Sequence, residues 1–267
     1  MTFANSSPLL RAVISRKHLH VQPLPSLADA AVDVEGLLRG FGLQLIRRYA
    51  GQIHWEQESQ EASFADRAEP GLKLENVAAH SWHVADTVLL VAPHFPFLDL
   101  ARALKLALIH DKLELITGDF DPVGSDGRGT HSHAFHPEKR KSKVEAELRA
   151  LDMYLAGVRE AVRDNQRDIF LDAIHGRSAE ARFVKAIDKL QALAYVLVKK
   201  GGNLTDSHLA FSLRFSRMAI DYFPGIQSHY AVLFNQLLDS VAAFRNLPRE
   251  RIESEIYGQL EFDLRVL

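Results

Sequence analysis

The sequence predicts an all-α protein, a bundle of helices joined by short connections. Apolar residues recur at steps of three and four along most of the chain, which places them on one face of a helix. No segment alternates apolar and polar residues for long enough to indicate a β-sheet. Neither an internal repeat nor a break in composition marks a second domain. We therefore expect an N-terminal arm, residues 1–27, and one helical domain, residues 28–267.

The first two helices follow the arm, which has scattered Ser and Pro and no sustained period. Helical spacing runs from Leu27 to Tyr49 and predicts a first helix that ends near Gly51. The stretch 52–74 is polar and irregular. A second helix is predicted to begin near Asn76, because asparagine is a favourable N-cap residue.

The third helix is predicted from Ala101 to Ile116, where the chain is strongly apolar, and Gly118 supplies its stop. A loop rich in Gly and Asp follows, and helical spacing returns from Lys139 to Leu155. Further helices are predicted near residues 160–175, 178–200, 206–221, 225–245 and 248–258.

Composition excludes several classes of function. The 32 basic residues nearly balance the 34 acidic ones, so no global basic field indicates nucleic-acid binding. The chain has no cysteine, which excludes disulfides, thiolate metal sites and cysteine nucleophiles. No stretch approaches the ~18 apolar residues of a membrane span, and the N-terminus lacks the pattern of a signal peptide. We expect a cytoplasmic protein.

A candidate metal site is indicated by two histidines and two aspartates. His110 and Asp111 are adjacent near the end of the most apolar helix, where an ionisable side chain needs a partner. His80 lies on the preceding helix and Asp188 lies on a later amphipathic one, so three helices can each present a ligand. Mixed nitrogen and oxygen ligands suit Mn, Fe, Co, Ni or Zn better than Ca or Mg.

Two further carboxylates strengthen this interpretation, because a His-Asp pair alone is a weak signal in a chain with 13 histidines. Glu114 follows Asp111 by one helical turn, and Asp119 comes just past the predicted helix end. Ionisable groups therefore crowd one helix terminus.

In order and spacing these motifs resemble the HD-domain 5'-deoxynucleotidases, over roughly residues 45–199. The resemblance implies an α-helical fold, one divalent metal ion and hydrolysis of (deoxy)nucleoside 5'-monophosphates. The motifs that carry it are Glu75-Asn76-Val77-Ala78-Ala79-His80, Ala107-Leu108-Ile109-His110-Asp111-Lys112-Leu113-Glu114, Gly118-Asp119 and Phe183-Val184-Lys185-Ala186-Ile187-Asp188-Lys189.

The resemblance also implies a role for each matched residue. Glu114 matches the glutamate that activates the attacking water, and Asp119 matches a second catalytic carboxylate near the leaving group. Arg48 aligns with an arginine that meets the phosphate, and Tyr49 stands where the family has a tryptophan that helps exclude a ribose hydroxyl. The metal ligands are His80, His110, Asp111 and Asp188.

Two basic features allow more than one interpretation. The histidines at 131, 133 and 136 occupy a Gly-containing loop, which we interpret as polar and flexible, with a metal or phosphate site or a lid as the alternatives. The run 139–143 is interpreted as a solvated helix face with charge pairs, and substrate steering is its alternative.

The predicted function is hydrolysis of a small-molecule phosphate ester, with a nucleotide as substrate. The alternatives are hydrolysis of another phosphorylated metabolite or nucleotide analogue, and a non-catalytic nucleotide-binding protein. A homodimer is expected from the family resemblance. The sequence identifies no particular metal, base or sugar.

Overall fold

A computed structural model describes residues 26–56 and 74–265, with side chains described through residue 258. The regular elements in these ranges are helices, joined by one isolated antiparallel bridge between Arg47 and Asn76. The all-α prediction is confirmed. The α-helices are α1 Leu27–Gly40, α2 Val77–Val91, α3 Leu100–Ile109, α4 Glu114–Thr117, α5 Pro137–Ala156, α6 Glu160–His175, α7 Ala179–Lys200, α8 Asp206–Tyr222, α9 Gln227–Arg245 and α10 Arg249–Arg265.

Most of the predicted arm, and most of the stretch predicted to be irregular before Asn76, lies outside the described residues. Within the described part of the chain, no helix has both the length and the apolar character needed to cross a membrane.

Helix α7 is the central helix and packs against α2, α3, α8 and α9. The Ser178 side chain caps its N-terminus by accepting from the Ala181 N–H at 3.0 Å. Gly201 ends it in the left-handed conformation, with φ 52°. Nearly half of its residues are buried, so its position is fixed by packing on several sides.

Two apolar clusters meet along α7. The first half of the helix packs with α2 and α3 around side chains such as Val84, Leu106 and Ile187. The second half contributes Leu193 to another cluster, which includes residues of α8, α9 and α10 and the aromatic ring of Trp55. Polar residues of α7 that lie between the two halves therefore point into the interior.

The prediction that the first helix continues to Tyr49 is wrong, because α1 ends at Gly40. A 3₁₀ turn at Phe41–Gln44 follows it. Glycines at positions 40 and 42 weaken a helix, and a Cβ at Gly42 would approach the Leu115 side chain to 2.9 Å. The chain then extends alongside the start of α2, where the Arg48 N–H donates to the Glu75 carbonyl at 2.9 Å.

The prediction of one unbroken helix from Ala101 to Ile116 is also wrong. Helix α3 ends at Ile109, and a turn precedes the short helix α4. In this turn the Lys112 N–H donates to the Ile109 carbonyl and the Glu114 N–H donates to the Asp111 carbonyl. Gly118 ends α4 with φ 71°, as predicted for a stop.

The second helix begins as predicted. The Asn76 side chain accepts from the Ala79 N–H at 2.9 Å, which is the N-cap geometry expected from the sequence. The remaining helices agree with their predicted ranges to within a few residues, except that α10 extends to Arg265.

Candidate metal centre

The four predicted metal ligands lie together at the junction of α2, α3 and α7. His80 projects from α2, His110 and Asp111 lie at the end of α3, and Asp188 projects from α7. The His80 Nε2 atom is 3.1 Å from Asp188 Oδ1, 3.4 Å from Asp111 Oδ2 and 3.2 Å from His110 Nε2. His110 Nε2 is 3.1 Å from Asp111 Oδ2.

These separations fit one metal ion. Ligand atoms held about 2.0–2.2 Å from a common ion at right or tetrahedral angles lie about 3 Å or slightly more from one another. Potential ligand atoms of His80, His110 and Asp188 all lie within 4.8 Å of one another, and Asp111 approaches both histidines within 3.4 Å. The donor set therefore fits a divalent metal ion, without specifying which one.

Hydrogen bonds orient both histidines for metal binding. His110 Nδ1 lies 2.8 Å from the Ala107 carbonyl, so it carries the proton and leaves the Nε2 lone pair free. His80 Nδ1 lies 2.8 Å from Gln191 Oε1. The Gln191 amide orientation is set by its Nε2, which donates to Glu75 Oε1 at 2.7 Å, so His80 also presents Nε2 to the site.

Arg48 joins the same network through the bridge that follows α1. Its Nη1 donates to Glu75 Oε2 at 2.9 Å and to Gln191 Oε1 at 3.2 Å, and it contacts His80 Nδ1. The side chain is 12% exposed and lines the cavity beside the metal ligands. Arg48 is therefore close enough to the site to meet a bound phosphate, although its hydrogen bonds here are to Glu75 and Gln191.

Glu114 and Asp119 lie in the same cavity wall, where their negative charges repel each other. Burial raises the pKa of Glu114 to about 10, and the charges of Asp111 and Asp119 contribute to that rise. Burial also raises the pKa of Asp119, against the attraction of Arg48. Glu114 Oε2 is buried and has no hydrogen-bond partner among the described residues. A divalent cation would offset this crowding of carboxylates.

Tyr49 occupies an unusual backbone position. Its φ is 66°, which is strained for a large side chain. Its N–H donates to the Asp119 carboxylate. The ring stacks on Tyr195 with centroids 5.0 Å apart and packs against Trp55 at 4.9 Å. The left-handed turn thus fixes Asp119 and completes an aromatic wall.

The cavity beside the metal ligands combines this wall with a mixed set of charges. Its volume is about 80 Å³, below the roughly 300–1,000 Å³ of typical ligand pockets, so a complete nucleotide requires movement of wall side chains. Four carboxylates face three cationic groups, and a divalent ion changes the formal balance from net negative to net positive. The charged lining is Asp111, Glu114, Asp119, Asp188, Arg48, Lys143 and Lys189.

The loop before α5 also contributes to the site. Asp126 accepts hydrogen bonds from the backbone N–H groups of residues 128, 129 and 130, which order the loop. His133 lines the cavity, and burial lowers its pKa to about 3, with Lys143 the next cause. Our interpretation of a flexible loop did not anticipate this position. Lys143, from the run interpreted as a solvated face, is half-buried in the same wall.

Sequence reasoning missed Gln191, Glu75 and Trp55 as site residues. Gln191 follows Asp188 by three residues, so helical spacing places both on one face of α7. Glu75 directly precedes the N-cap of the helix that carries His80. Trp55 lies in the polar stretch after Tyr49, where periodicity gives no indication of burial, and it is 1% exposed.

Known proteins resemble this chain over part of its length. The 5'-deoxynucleotidase hdd1 of Schizosaccharomyces pombe is 27% identical over 122 residues, which cover 46% of this chain and 57% of that protein. The 5'-deoxynucleotidase HDDC2 of Xenopus laevis is 29% identical over 153 residues, covering 55% of this chain and 69% of that protein. The match thus spans little more than half of the yeast relative.

A solved structure is similar over most of the length of this chain. A crystal structure of a predicted metal-dependent phosphohydrolase from Magnetospirillum magnetotacticum MS-1 gives a TM-score of 0.47 at 18% identity, and covers 89% of this chain and 96% of that one.

The family itself is settled by a longer match. The family model described as the HD domain matches residues 56–227, more than half of the 267 residues. This range includes His80, His110, Asp111 and Asp188, the four residues whose side chains meet at the candidate metal centre. The chain belongs to the HD-domain family.

Proposed function

We propose that the protein is a metal-dependent phosphomonoester hydrolase that releases phosphate from (deoxy)nucleoside 5'-monophosphates. The observation that carries the proposal is the group of His80, His110, Asp111 and Asp188 beside the buried Glu114, in which His80 Nε2 lies 3.1–3.4 Å from atoms of the other three residues. The similarity to two proteins named 5'-deoxynucleotidase supports the substrate class.

Each residue of the site has a defined part in this reaction. When bound, a divalent ion supplies Lewis-acid charge that stabilises a phosphate group and activates water. Burial and the neighbouring carboxylates raise the pKa of Glu114 in the metal-free site. The charge of the bound ion lowers that pKa again, so that Glu114 is ionised and accepts the proton of the water that attacks phosphorus. Arg48, which directly follows the β-bridge between Arg47 and Asn76, holds the phosphate.

The leaving oxygen needs a proton as its bond to phosphorus breaks. Asp119 has a raised pKa, which favours its protonated form and allows it to donate to that oxygen. The hydrogen bond from the Tyr49 N–H holds this carboxyl group in place. Phosphate and a nucleoside are the products, and no covalent enzyme intermediate is required.

The aromatic wall bears on sugar and base selection. Tyr49 is 8% exposed and packed between Tyr195 and Trp55, so a tyrosine and a tryptophan together stand beside the phosphate site. We assign the discrimination between ribose and deoxyribose to Tyr49 and Trp55. The movement of wall side chains that a nucleotide requires would expose an aromatic face, on which its base can stack.

Phosphate release from a panel of esters tests the proposal. Metal-stripped protein is reconstituted with Mn, Co, Fe, Ni or Zn and given ribo- and deoxyribonucleoside 5'-monophosphates and other phosphorylated metabolites. We expect metal-dependent release from nucleotides that is abolished in Asp111→Ala and retained in Asp164→Ala, whose aspartate is exposed on α6. Activity confined to other metabolites would favour the alternative substrate class. Bound metal without any turnover would favour a nucleotide-binding role.

We further propose that the protein is cytoplasmic, forms a homodimer and acts on small molecules rather than nucleic acid. The exposed apolar face of α1 supports self-association, since Leu37 and Leu38 are each 62% exposed. Light scattering after size-exclusion chromatography tests the dimer, and Leu37→Glu should shift the protein toward a monomer if α1 forms the contact.

A further inference from the structure

A second cavity adjoins the candidate metal ligands, and Arg48, which lines the first cavity, does not line it. Its volume is about 390 Å³, within the range of small-molecule sites. Asp111 and Asp188 line both this cavity and the one with the aromatic wall. A group bound at the metal centre therefore has a second compartment next to it, enclosed mainly by α5, α6 and α7.

The second cavity has a small excess of positive charge. Four cationic side chains line it against three carboxylates, and two of those carboxylates are the metal ligands Asp111 and Asp188. The third, Glu147, pairs with Lys143 at 3.6 Å, and Lys189 pairs with Asp188 at 2.8 Å. The two remaining cations are Arg140 and Lys185.

Neither remaining cation has a carboxylate partner among the described ion pairs. Lys185 Nζ donates to the Ile174 carbonyl at 3.2 Å, and Arg140 Nη2 donates to the Ala134 carbonyl at 2.8 Å. Each therefore has N–H groups left for an anion. Burial lowers the pKa of Lys185 to about 8, and the nearby charge of Lys143 contributes next; a bound anion would relieve both effects.

We propose that this cavity is a second binding site for a phosphate-class oxyanion, held by Lys185 from α7 and Arg140 from α5. Lys185 precedes Asp188 by three residues and so lies on the same face of α7 as the metal ligand. An oxyanion at Lys185 would thus lie beside the phosphoryl group being hydrolysed. The proposal rests on the proposed function only in naming phosphate as the neighbouring ligand.

The ligand has two sources with the same chemistry. It is either a second phosphate group of the substrate, as in a nucleoside 3',5'-bisphosphate, or inorganic phosphate released by the reaction. Both require the same cationic pair, and kinetics distinguishes them.

Binding of inorganic phosphate to the metal-loaded full-length protein, measured by calorimetry, tests the site without turnover. We expect two phosphates per chain, and a second site weakened about tenfold or more by Lys185→Met, since a hydrogen bond to a charged group contributes to that extent. Arg140→Met, at an exposed position, should weaken the same site. Lys105→Met, which removes an exposed lysine of α3, is the matched control and should bind as the unaltered protein does.

Two results would overturn the proposal: no phosphate bound apart from one that is lost when the metal is stripped, or equal binding by the unaltered protein and both cavity variants. Metal-stripped protein should keep the cavity phosphate. If Lys185→Met weakens phosphate binding but the unaltered protein hydrolyses no ester, the proposed function is refuted and this site is supported.

A comparison of two substrates identifies the source of the phosphate in the second cavity. If the second phosphate belongs to the substrate, Lys185→Met should lower the ratio of kcat/KM for a 3',5'-bisphosphate to that for the 5'-monophosphate about tenfold, with no change in Lys105→Met. If the site holds released phosphate, the ratio stays constant and inhibition by inorganic phosphate weakens instead. Either result supports the site.

Discussion

The substitution Gln191→Leu removes a side chain that positions the candidate metal ligand His80 and leaves His80 itself unchanged. Gln191 is 8% exposed and holds His80 Nδ1 at 2.8 Å and Glu75 Oε1 at 2.7 Å. Leucine fills a similar volume but neither accepts from His80 nor donates to Glu75. Loss of such an outer hydrogen bond lowers metal affinity about 10–100-fold, which corresponds to about 1.4–2.8 kcal/mol.

The same substitution should also destabilise the metal-free protein. The His80 Nδ1–H and one Glu75 oxygen would each lose a buried partner, at a cost of roughly 1–3 kcal/mol per group. Calorimetric metal titration and thermal unfolding with and without metal measure the two effects separately. Gln236→Leu, on the exposed side of α9, is the matched control and should change neither quantity beyond about 0.5 kcal/mol.

Gln191→Glu tests whether the role is one of positioning. A carboxylate at this position still accepts from His80 but cannot donate to Glu75, so this variant should retain more metal affinity than Gln191→Leu. The reasoning is refuted if folded Gln191→Leu binds metal as tightly as the unaltered protein. It is also refuted if the two variants lose equal affinity, since loss of the hydrogen bond to His80 would then not be the cause.

Three other outcomes are expected. Glu114→Gln should keep the metal, as measured by elemental analysis, and lower kcat about 10²–10⁴-fold, because it removes a proton acceptor without removing a ligand. Arg48→Lys should raise KM for nucleoside monophosphates in steady-state assays, because a lysine at this bridge cannot contact Glu75 and phosphate in the same planar arrangement. Asp172 is 1% exposed; burial alone would raise its pKa, but hydrogen bonds from Ser178 and Arg102 hold that pKa below its ordinary value. The stability that the ionised Asp172 contributes is therefore present above the unfolded pKa of about 3.9 and lost as pH falls through the lower folded pKa. In denaturant titrations at pH 7, Asp172→Asn should lower the free energy of unfolding by about 1.5–3 kcal/mol. At pH 3 the same substitution should lower it by less.

The sequence predicted the helices well where apolar periodicity and capping residues agree. The start of α2 at Asn76 and the end of α4 at Gly118 both follow from local chemistry. The sequence also identified the four candidate metal ligands, because ionisable side chains on apolar helices need a partner and a bound cation supplies one. The approach of His110, Asp111 and Asp188 to within 3.4 Å of His80 Nε2 depends on how α2, α3 and α7 pack, which no local pattern specifies.

Two errors in the helix boundaries share a physical cause. Apolar spacing continues through Leu45 and through Ile109, so periodicity alone extends a helix across both breaks. At the first break the backbone bonds go to the start of α2 instead, with the Arg48 N–H on the Glu75 carbonyl. Such long-range pairing leaves no period in the sequence, and tertiary contacts override local propensity.

The breaks coincide with the candidate site, where side chains from several elements converge. Neighbouring residues on a regular helix point about 100° apart, yet His110 and Asp111 reach each other at 3.1 Å where α3 gives way to a turn. Tyr49, at φ 66°, turns its N–H onto Asp119 just after the bridge has brought Arg48 to Gln191. Strain and irregular backbone at these positions are maintained by the packed helices around them. Departures from helical periodicity within a helical chain are therefore where we would look first for the residues that bind substrate.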